Sequence, residues 1–229
     1  MQWISLTLYF FLINNSLANR PQPQNRSSES AIERKIAQAG LVNIQEVDST
    51  LKVDLRYSST NNFLHADVYG ELNRCYLQKD AALMLAAAQK YLKEMSRGYD
   101  LLVFDGARPR SVQYQMWEIV KGTAMQPYVA NPATGSIHNY GAAVDLTIVD
   151  EKGNELDMGT PFDFFDALAQ PRLEEQFLKD GKLNEKQLAN RKLLREVMTK
   201  AGFKIINNEW WHFDAFPKEQ VRKKYKIIE

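Results

Sequence analysis

The stretch Ser136-Ile137-His138-Asn139-Tyr140-Gly141-Ala142-Ala143-Val144-Asp145-Leu146-Thr147-Ile148-Val149 decides how this chain is read. Its second part, Ala142 to Val149, reads as a strand, with Asp150-Glu151-Lys152-Gly153-Asn154 as the turn that follows. A period of two sets Val144, Leu146 and Ile148 on one face, and Asp145 and Thr147 on the other. A carboxylate buried unpaired in so apolar a strand is costly, so Asp145 faces water, a cation or a hydrogen-bonding network. His138 lies seven residues earlier, across Gly141 and two alanines. Small residues let the backbone turn closely, so this imidazole can meet the carboxylate at the strand.

Working outward, 41–47 and 51–57 alternate with period two and read as half-buried strands joined by Asp48-Ser49-Thr50. Asp80 is placed to cap a helix through Leu83, Leu85, Ala88, Tyr91, Leu92 and Met95, ended by Gly98. Leu101-Leu102-Val103-Phe104 is a short apolar strand running into Asp105-Gly106, and Ser111 is placed to cap a helix that stops at Gly122. Asn184 with Gln187 resembles a capping box for a helix to Lys200, closed by Gly202. Residues 203–216 read as the last strand region. Strands and helices mix without strict alternation. The expected fold class is therefore α+β: a single domain, with a mostly antiparallel sheet flanked by helices and the candidate metal site at the sheet.

With 229 residues, 45% hydrophobic, the chain has the size and composition of one sizeable domain. The formal charge of +1 gives no field for nucleic acid or an anionic membrane, and neither is expected as a partner. The basic stretch from Lys218 to Lys226 reads as a solvated helix or tail. A single cysteine, Cys75, excludes an internal disulfide and any Cys-rich metal site, and reads as a small core residue. At the start, the uncharged apolar run from Trp3 to Ile13, followed by Ser16-Leu17-Ala18, reads as a signal peptide over residues 1–18. It is too short to span a bilayer comfortably, so no stable membrane insertion is expected after processing. Residues 19–40 read as a linker and N-terminal segment, and 41–229 as the functional domain. The expected location is exported, in the periplasm, with the cytoplasm as the alternative.

The second informative segment is Glu209-Trp210-Trp211-His212, which brings another of the three histidines. Imidazole and carboxylate suit Zn²⁺, and a catalytic zinc keeps three protein ligands and one open position. His138, Asp145 and His212 fill those places, with one Zn²⁺ per chain. Glu209 is left over as a base for the water on the metal. In a regular strand Glu209 and His212 face opposite ways, so both reach one ion only if the chain kinks, and Asn207-Asn208 offers a turn.

Ser-x-His-x-x-Gly-x-Ala-x-Asp followed by Glu-x-Trp-His resembles the signature of the zinc D-alanyl-D-alanine metallopeptidases. The likeness is to their dipeptidase branch, the vancomycin-resistance (VanX-type) enzymes. It extends to Asp54-Leu55-Arg56-Tyr57, Asn62-Phe63, Val68-Tyr69-Gly70, Val103-Phe104-Asp105, Ala107-Arg108-Pro109 and Met158-Gly159-Thr160-Pro161-Phe162-Asp163, covering about Val47 to Phe213. This resemblance implies zinc held by His138, Asp145 and His212, with Glu209 as general base and acid. It implies Arg108 beside the scissile carbonyl, stabilising the oxyanion, and Ser136 and Asp163 holding the substrate amino group. The implied reaction is hydrolysis of the dipeptide D-Ala-D-Ala to free D-alanine. Gly106-Ala107 before Arg108, where many relatives carry an aromatic residue, and Ile137 before the first ligand depart from the pattern and touch the pocket walls. The alternatives are a D,D-carboxypeptidase or endopeptidase on longer wall peptides, and a zinc-binding domain without turnover. For Asp163, capping of a helical stretch over residues 164–169 also stays open.

Overall fold

A computed structural model of the chain describes residues 29–229. The signal-peptide reading and residues 19–28 of the linker and N-terminal segment lie outside the described residues. The centre of the fold is β5 (Ala143–Val149), buried along its whole length. It pairs antiparallel with β4 (Asp100–Asp105) on one side and with β7 (His212–Asp214) on the other. Outside these lie β2 (Lys52–Val53), parallel to β4, and β6 (Lys204–Ile205), antiparallel to β7, giving the order β2-β4-β5-β7-β6. A second, two-stranded sheet joins β1 (Val42–Asn43) to β3 (Tyr76–Leu77). The fold is α+β and mostly antiparallel, as expected.

One irregularity in this sheet positions the site. Between β4 and β5 the register runs regularly from Asp100↔Val149 to Val103↔Leu146, then slips, so that Asp105 rather than Phe104 stands opposite Asp145. Such a bulge re-aims a side chain at the end of a strand. On the other side of Asp145 the partner is His212. Asp105, Asp145 and His212 thus form one row across three adjacent strands.

Alternation divides the residues as the sequence implies. Val144, Leu146 and Ile148 are fully buried, with Leu101 and Val103 opposite them in the core. Helix α3 (Lys79–Met95), burying Ala81, Ala82, Leu85, Ala88 and Leu92, packs against β4 and α6 (Glu185–Lys200). Helix α6 starts with the expected capping box, Asn184 Oδ1 accepting from Gln187 N and Gln187 Oε1 from Asn184 N, both at 2.9 Å. Phe104, Phe162 and Trp211 form an aromatic chain, with ring centres 4.9 and 5.5 Å apart.

Elsewhere the expectations need correction. The two strands read over 41–47 and 51–57 shrink to β1 and β2. Asn43 Oδ1 caps Gln45 N at 3.1 Å and turns the chain into the one-turn helix α2 (Ile44–Val47). A side chain that captures its own backbone competes with the ladder in this way. Residues Arg56–Ser58 form a 3₁₀ turn. Helix α3 begins at Lys79, with Gln78 rather than Asp80 at the cap position, and the Asp80 carboxylate instead takes Lys224 Nζ at 2.6 Å. Helix α4 (Arg110–Val120) begins directly after Pro109, so Ser111 lies within its first turn. The final region is a hairpin of short strands rather than one strand. A short helix, α5 (Glu174–Lys179), precedes α6, and α7 (Lys218–Lys224) occupies the basic stretch. Upstream of residue 41, helix α1 (Ala31–Gln38) has a Ser30–Glu33 capping box and puts Ile36 into the core. Buried Glu33 accepts from the backbone N–H groups of Asn73 and Arg74 at 3.1 and 3.0 Å, so the packed unit extends to about residue 30.

Candidate active site

His138 sits on a buried 3₁₀ turn, Ile137–Tyr140, that ends at Gly141 with φ 65° and ψ 29°. A Cβ on Gly141 would stand 2.4 Å from Leu41 Cδ2, so both the left-handed backbone and the space demand glycine there. Asn139, fully buried, laces this turn to the next segment. Its Oδ1 accepts from Ser136 N at 2.7 Å and its Nδ2 donates to the Arg108 carbonyl at 2.8 Å. Arg108 N in turn donates to the His138 carbonyl at 3.0 Å.

Three candidate ligand atoms converge. His138 Nε2 lies 3.2 Å from His212 Nδ1 and 3.4 Å from Asp145 Oδ1, and His212 Nδ1 lies 3.0 Å from the same oxygen. Ligand atoms bonded to zinc at about 2.0–2.1 Å in a tetrahedron stand about 3.3 Å apart, so the spacing fits. The far nitrogens explain the orientation. His138 Nδ1 meets the Gly106 carbonyl at 2.9 Å, and His212 Nε2 meets Asp214 Oδ1 at 2.9 Å. Each of those acceptors can take the ring's N–H, which would leave the other nitrogen to offer its lone pair inward to a metal. With a cation present, two imidazole lone pairs and the carboxylate would face one ion. Without it, burial lowers the His212 pKa, but hydrogen bonds to Asp145 and Asp214 outweigh this and raise it well above the ordinary imidazole value. Burial by itself raises the Asp145 pKa, but the charge and hydrogen bonds of His138 and His212 outweigh it and hold the carboxyl well below its usual range.

These groups open into a cleft with a cavity of about 150 Å³, which also gathers Tyr57, Arg108, Ser136, Asp163 and Glu209. Glu209 lies in the irregular link between β6 and β7. Since β7 starts only at His212, strand alternation does not separate the two residues, and both line the cleft. Burial raises the Glu209 pKa; His212 opposes the shift and Asp145 adds to it. Trp211, buried beside it, walls the cleft, and Trp210 donates its indole N–H to Thr160 Oγ1 at 2.8 Å.

Arg108 is held from two sides. Asp105, with no exposed surface, pairs with Nη2, and Nη1 donates to Gln113 Oε1 at 3.0 Å. Burial works against the charged guanidinium, yet the Asp105 charge more than compensates and keeps Arg108 protonated. Two buried polar atoms in the lining lack any hydrogen-bond partner among the described residues: Arg108 Nε and Ser136 Oγ. Asp163 caps no helix. The one short turn nearby, Ala167–Ala169, is capped by Asp166. Asp163 instead adopts φ 61°, rare for a non-glycine residue, and accepts from Tyr57 Oη at 3.1 Å and Phe63 N at 3.5 Å. Burial, then the charge of Asp145, raise its pKa well above the ordinary carboxylate value.

All seven residues singled out in the sequence line this one cleft. Sequence reasoning gave no role to Asp105, Gln113, Asn139 or Asp214. For Asp214 a signal existed, an acid two residues after a ligand histidine on the same strand. Gln113 had none, since its partners come from two other segments.

A family model described as D-ala-D-ala dipeptidase matches residues 37–228. The D-alanyl-D-alanine dipeptidase of Escherichia coli (strain K12) is 33% identical over 174 residues, covering 76% of this chain and 83% of that protein. That of Enterococcus faecalis (strain ATCC 700802 / V583) is 29% identical over 191 residues, covering 76% and 90%. That of Streptomyces coelicolor (strain ATCC BAA-471 / A3(2) / M145) is 30% identical over 193 residues, covering 74% and 88%.

Proposed function

Because the chain belongs to the D-Ala-D-Ala dipeptidase family of peptidases, we propose that it hydrolyses free D-Ala-D-Ala to two D-alanines with one zinc ion held by His138, Asp145 and His212. The observation that carries this reading is the convergence of three candidate ligand atoms beside Glu209 and Arg108 in one small cleft. When bound, zinc supplies Lewis acidity and a lowered water pKa.

The chain's own residues supply the rest. Glu209 Oε accepts the proton of the attacking water and returns it to the leaving amine, a task favoured by its raised pKa. The guanidinium of Arg108, oriented by Asp105 and Gln113, faces negative charge developing on the carbonyl oxygen, with Nε still without a partner. Asp163 and Ser136 Oγ receive the substrate ammonium. Burial and the charge of Asp145 raise the pKa of the Asp163 carboxyl, and an arriving ammonium supplies a counter-ion that favours its ionised form, which rewards a free amino terminus.

The test is D-alanine release from D-Ala-D-Ala by the purified chain, with chelator and with zinc restored. Acetyl-D-Ala-D-Ala and a wall pentapeptide are run alongside. Zinc-dependent cleavage of the free dipeptide alone supports the reading; cleavage of the blocked or longer peptide moves the chain to carboxypeptidase chemistry. The apolar run from Trp3 to Ile13 supports export to the periplasm, and with it scavenging of wall-derived dipeptide. Fractionation of the tagged full chain checks this, and recovery in the cytoplasm would reject it.

A further inference from the structure

Two segments outside the sheets meet at the cleft. Tyr128, at the end of the 3₁₀ turn Gln126–Tyr128, stacks on Phe165, ring centres 4.8 Å apart and planes inclined by 19°. Phe165 is held edge-on by Phe63 at 4.9 Å and by Trp211 at 5.9 Å. All four rings line the cleft, yet Tyr128 is 47% exposed, as suits a residue at the mouth.

Each side of the stack is tied to a group that the dipeptidase reading gives to the substrate. Phe165 follows Asp163 by two residues, and Phe63 N donates to the Asp163 carboxylate. On the opposite side, the carbonyl of Ala130, two residues after Tyr128, accepts from Gln113 Nε2 at 2.9 Å, while the other end of that amide holds Arg108. The stack therefore lines the cleft at its exposed side, linked to the carboxylate proposed to hold the amino end and, through Gln113, to Arg108. Ligand pockets are commonly ~300–1,000 Å³, whereas the void here is about 150 Å³.

Resting on that reading, we propose that the Tyr128–Phe165 stack is the size filter of this enzyme: it blocks the amino-side extension of the substrate and so rejects longer peptides bearing the same scissile bond. Asp163 selects for the charged amine, and the stack denies space to anything beyond it.

The experiment compares kcat/KM for D-Ala-D-Ala with that for L-Lys-D-Ala-D-Ala, which carries the same bond and one more residue on its amino side. D-Alanine release is followed for the wild-type chain and for Tyr128→Ala, Phe165→Ala and Tyr128→Phe. Wild type is expected to disfavour the tripeptide. Each alanine variant should narrow the dipeptide-to-tripeptide ratio by about tenfold or more, and Tyr128→Phe, which keeps a ring in the stack, should hold the wild-type ratio. General loss of stability lowers both rates together and leaves the ratio in place. An unchanged ratio in both alanine variants, or wild-type cleavage of the tripeptide as fast as the dipeptide, overturns the filter. Failure of wild type to cleave either peptide overturns the dipeptidase reading itself, and the filter with it.

Discussion

Gln113 offers the sharpest test of how Arg108 is held. The side chain is fully buried, accepts from Arg108 Nη1 at 3.0 Å and donates to the Ala130 carbonyl at 2.9 Å. Gln113→Met keeps the approximate shape and removes both bonds. A buried polar group left unpaired costs about 1–3 kcal/mol, so two of them predict a loss of about 2–5 kcal/mol in stability after partial relaxation. Gln113→Glu keeps an acceptor for the guanidinium but faces the Ala130 carbonyl with a second acceptor, losing one contact. Removing a whole oxyanion donor lowers kcat by about 10²–10³, which bounds the effect of misorienting one. The expected fall is therefore about 10- to 100-fold in kcat for Gln113→Met, with KM changing less, and a smaller fall for Gln113→Glu. Thermal melts and steady-state D-alanine release from D-Ala-D-Ala read the two effects separately. If Gln113→Met kept kcat/KM within about twofold of wild type while Arg108→Met was inactive, Gln113 would not orient Arg108 and the reasoning would fail.

Other expectations follow from the same geometry. Glu209→Gln should bind zinc stoichiometrically by metal analysis and lose nearly all hydrolysis; near-normal turnover would mean the base lies elsewhere. Asp163 has a raised pKa in the folded protein, so its contribution to stability is present at low pH and is lost as pH rises through that folded value. Asp163→Asn should consequently raise the melting temperature of the substrate-free protein at about pH 8 and change it little below the ordinary carboxylate pKa of about 3.9, while raising KM for the free dipeptide. Equal shifts at both pH values would refute the raised pKa of this buried carboxyl. Gly141→Ala forces a left-handed alanine, costing about 1–2 kcal/mol, and drives its Cβ into Leu41. Lower stability and weaker zinc binding should appear together in calorimetry and metal titration, because His138 shares the turn.

What could be read directly from the chain was local. The alternation of Val144, Leu146 and Ile148 against Asp145 and Thr147 placed β5, and Asn184 with Gln187 placed the start of α6, because both signals depend on neighbours within one element. The types and spacing of His138, Asp145, Glu209 and His212 pointed to metal-ligand chemistry as an expectation, and the fold brings all four to one cleft. The alternating residues of 41–47 misled, since Asn43 capping its own chain outweighs a weak strand preference. Only the tertiary structure decided the rest. The register slip that sets Asp105, Asp145 and His212 in one row depends on β4, β5 and β7 meeting in space. The orientation of the two imidazoles depends on Gly106 and Asp214 behind them, and the grip on Arg108 depends on Asp105 and Gln113. The Tyr128–Phe165 stack joins segments 37 residues apart that carry no pattern pointing to each other. A sequence motif states which chemical groups are available; their orientation is set by the packing that surrounds them.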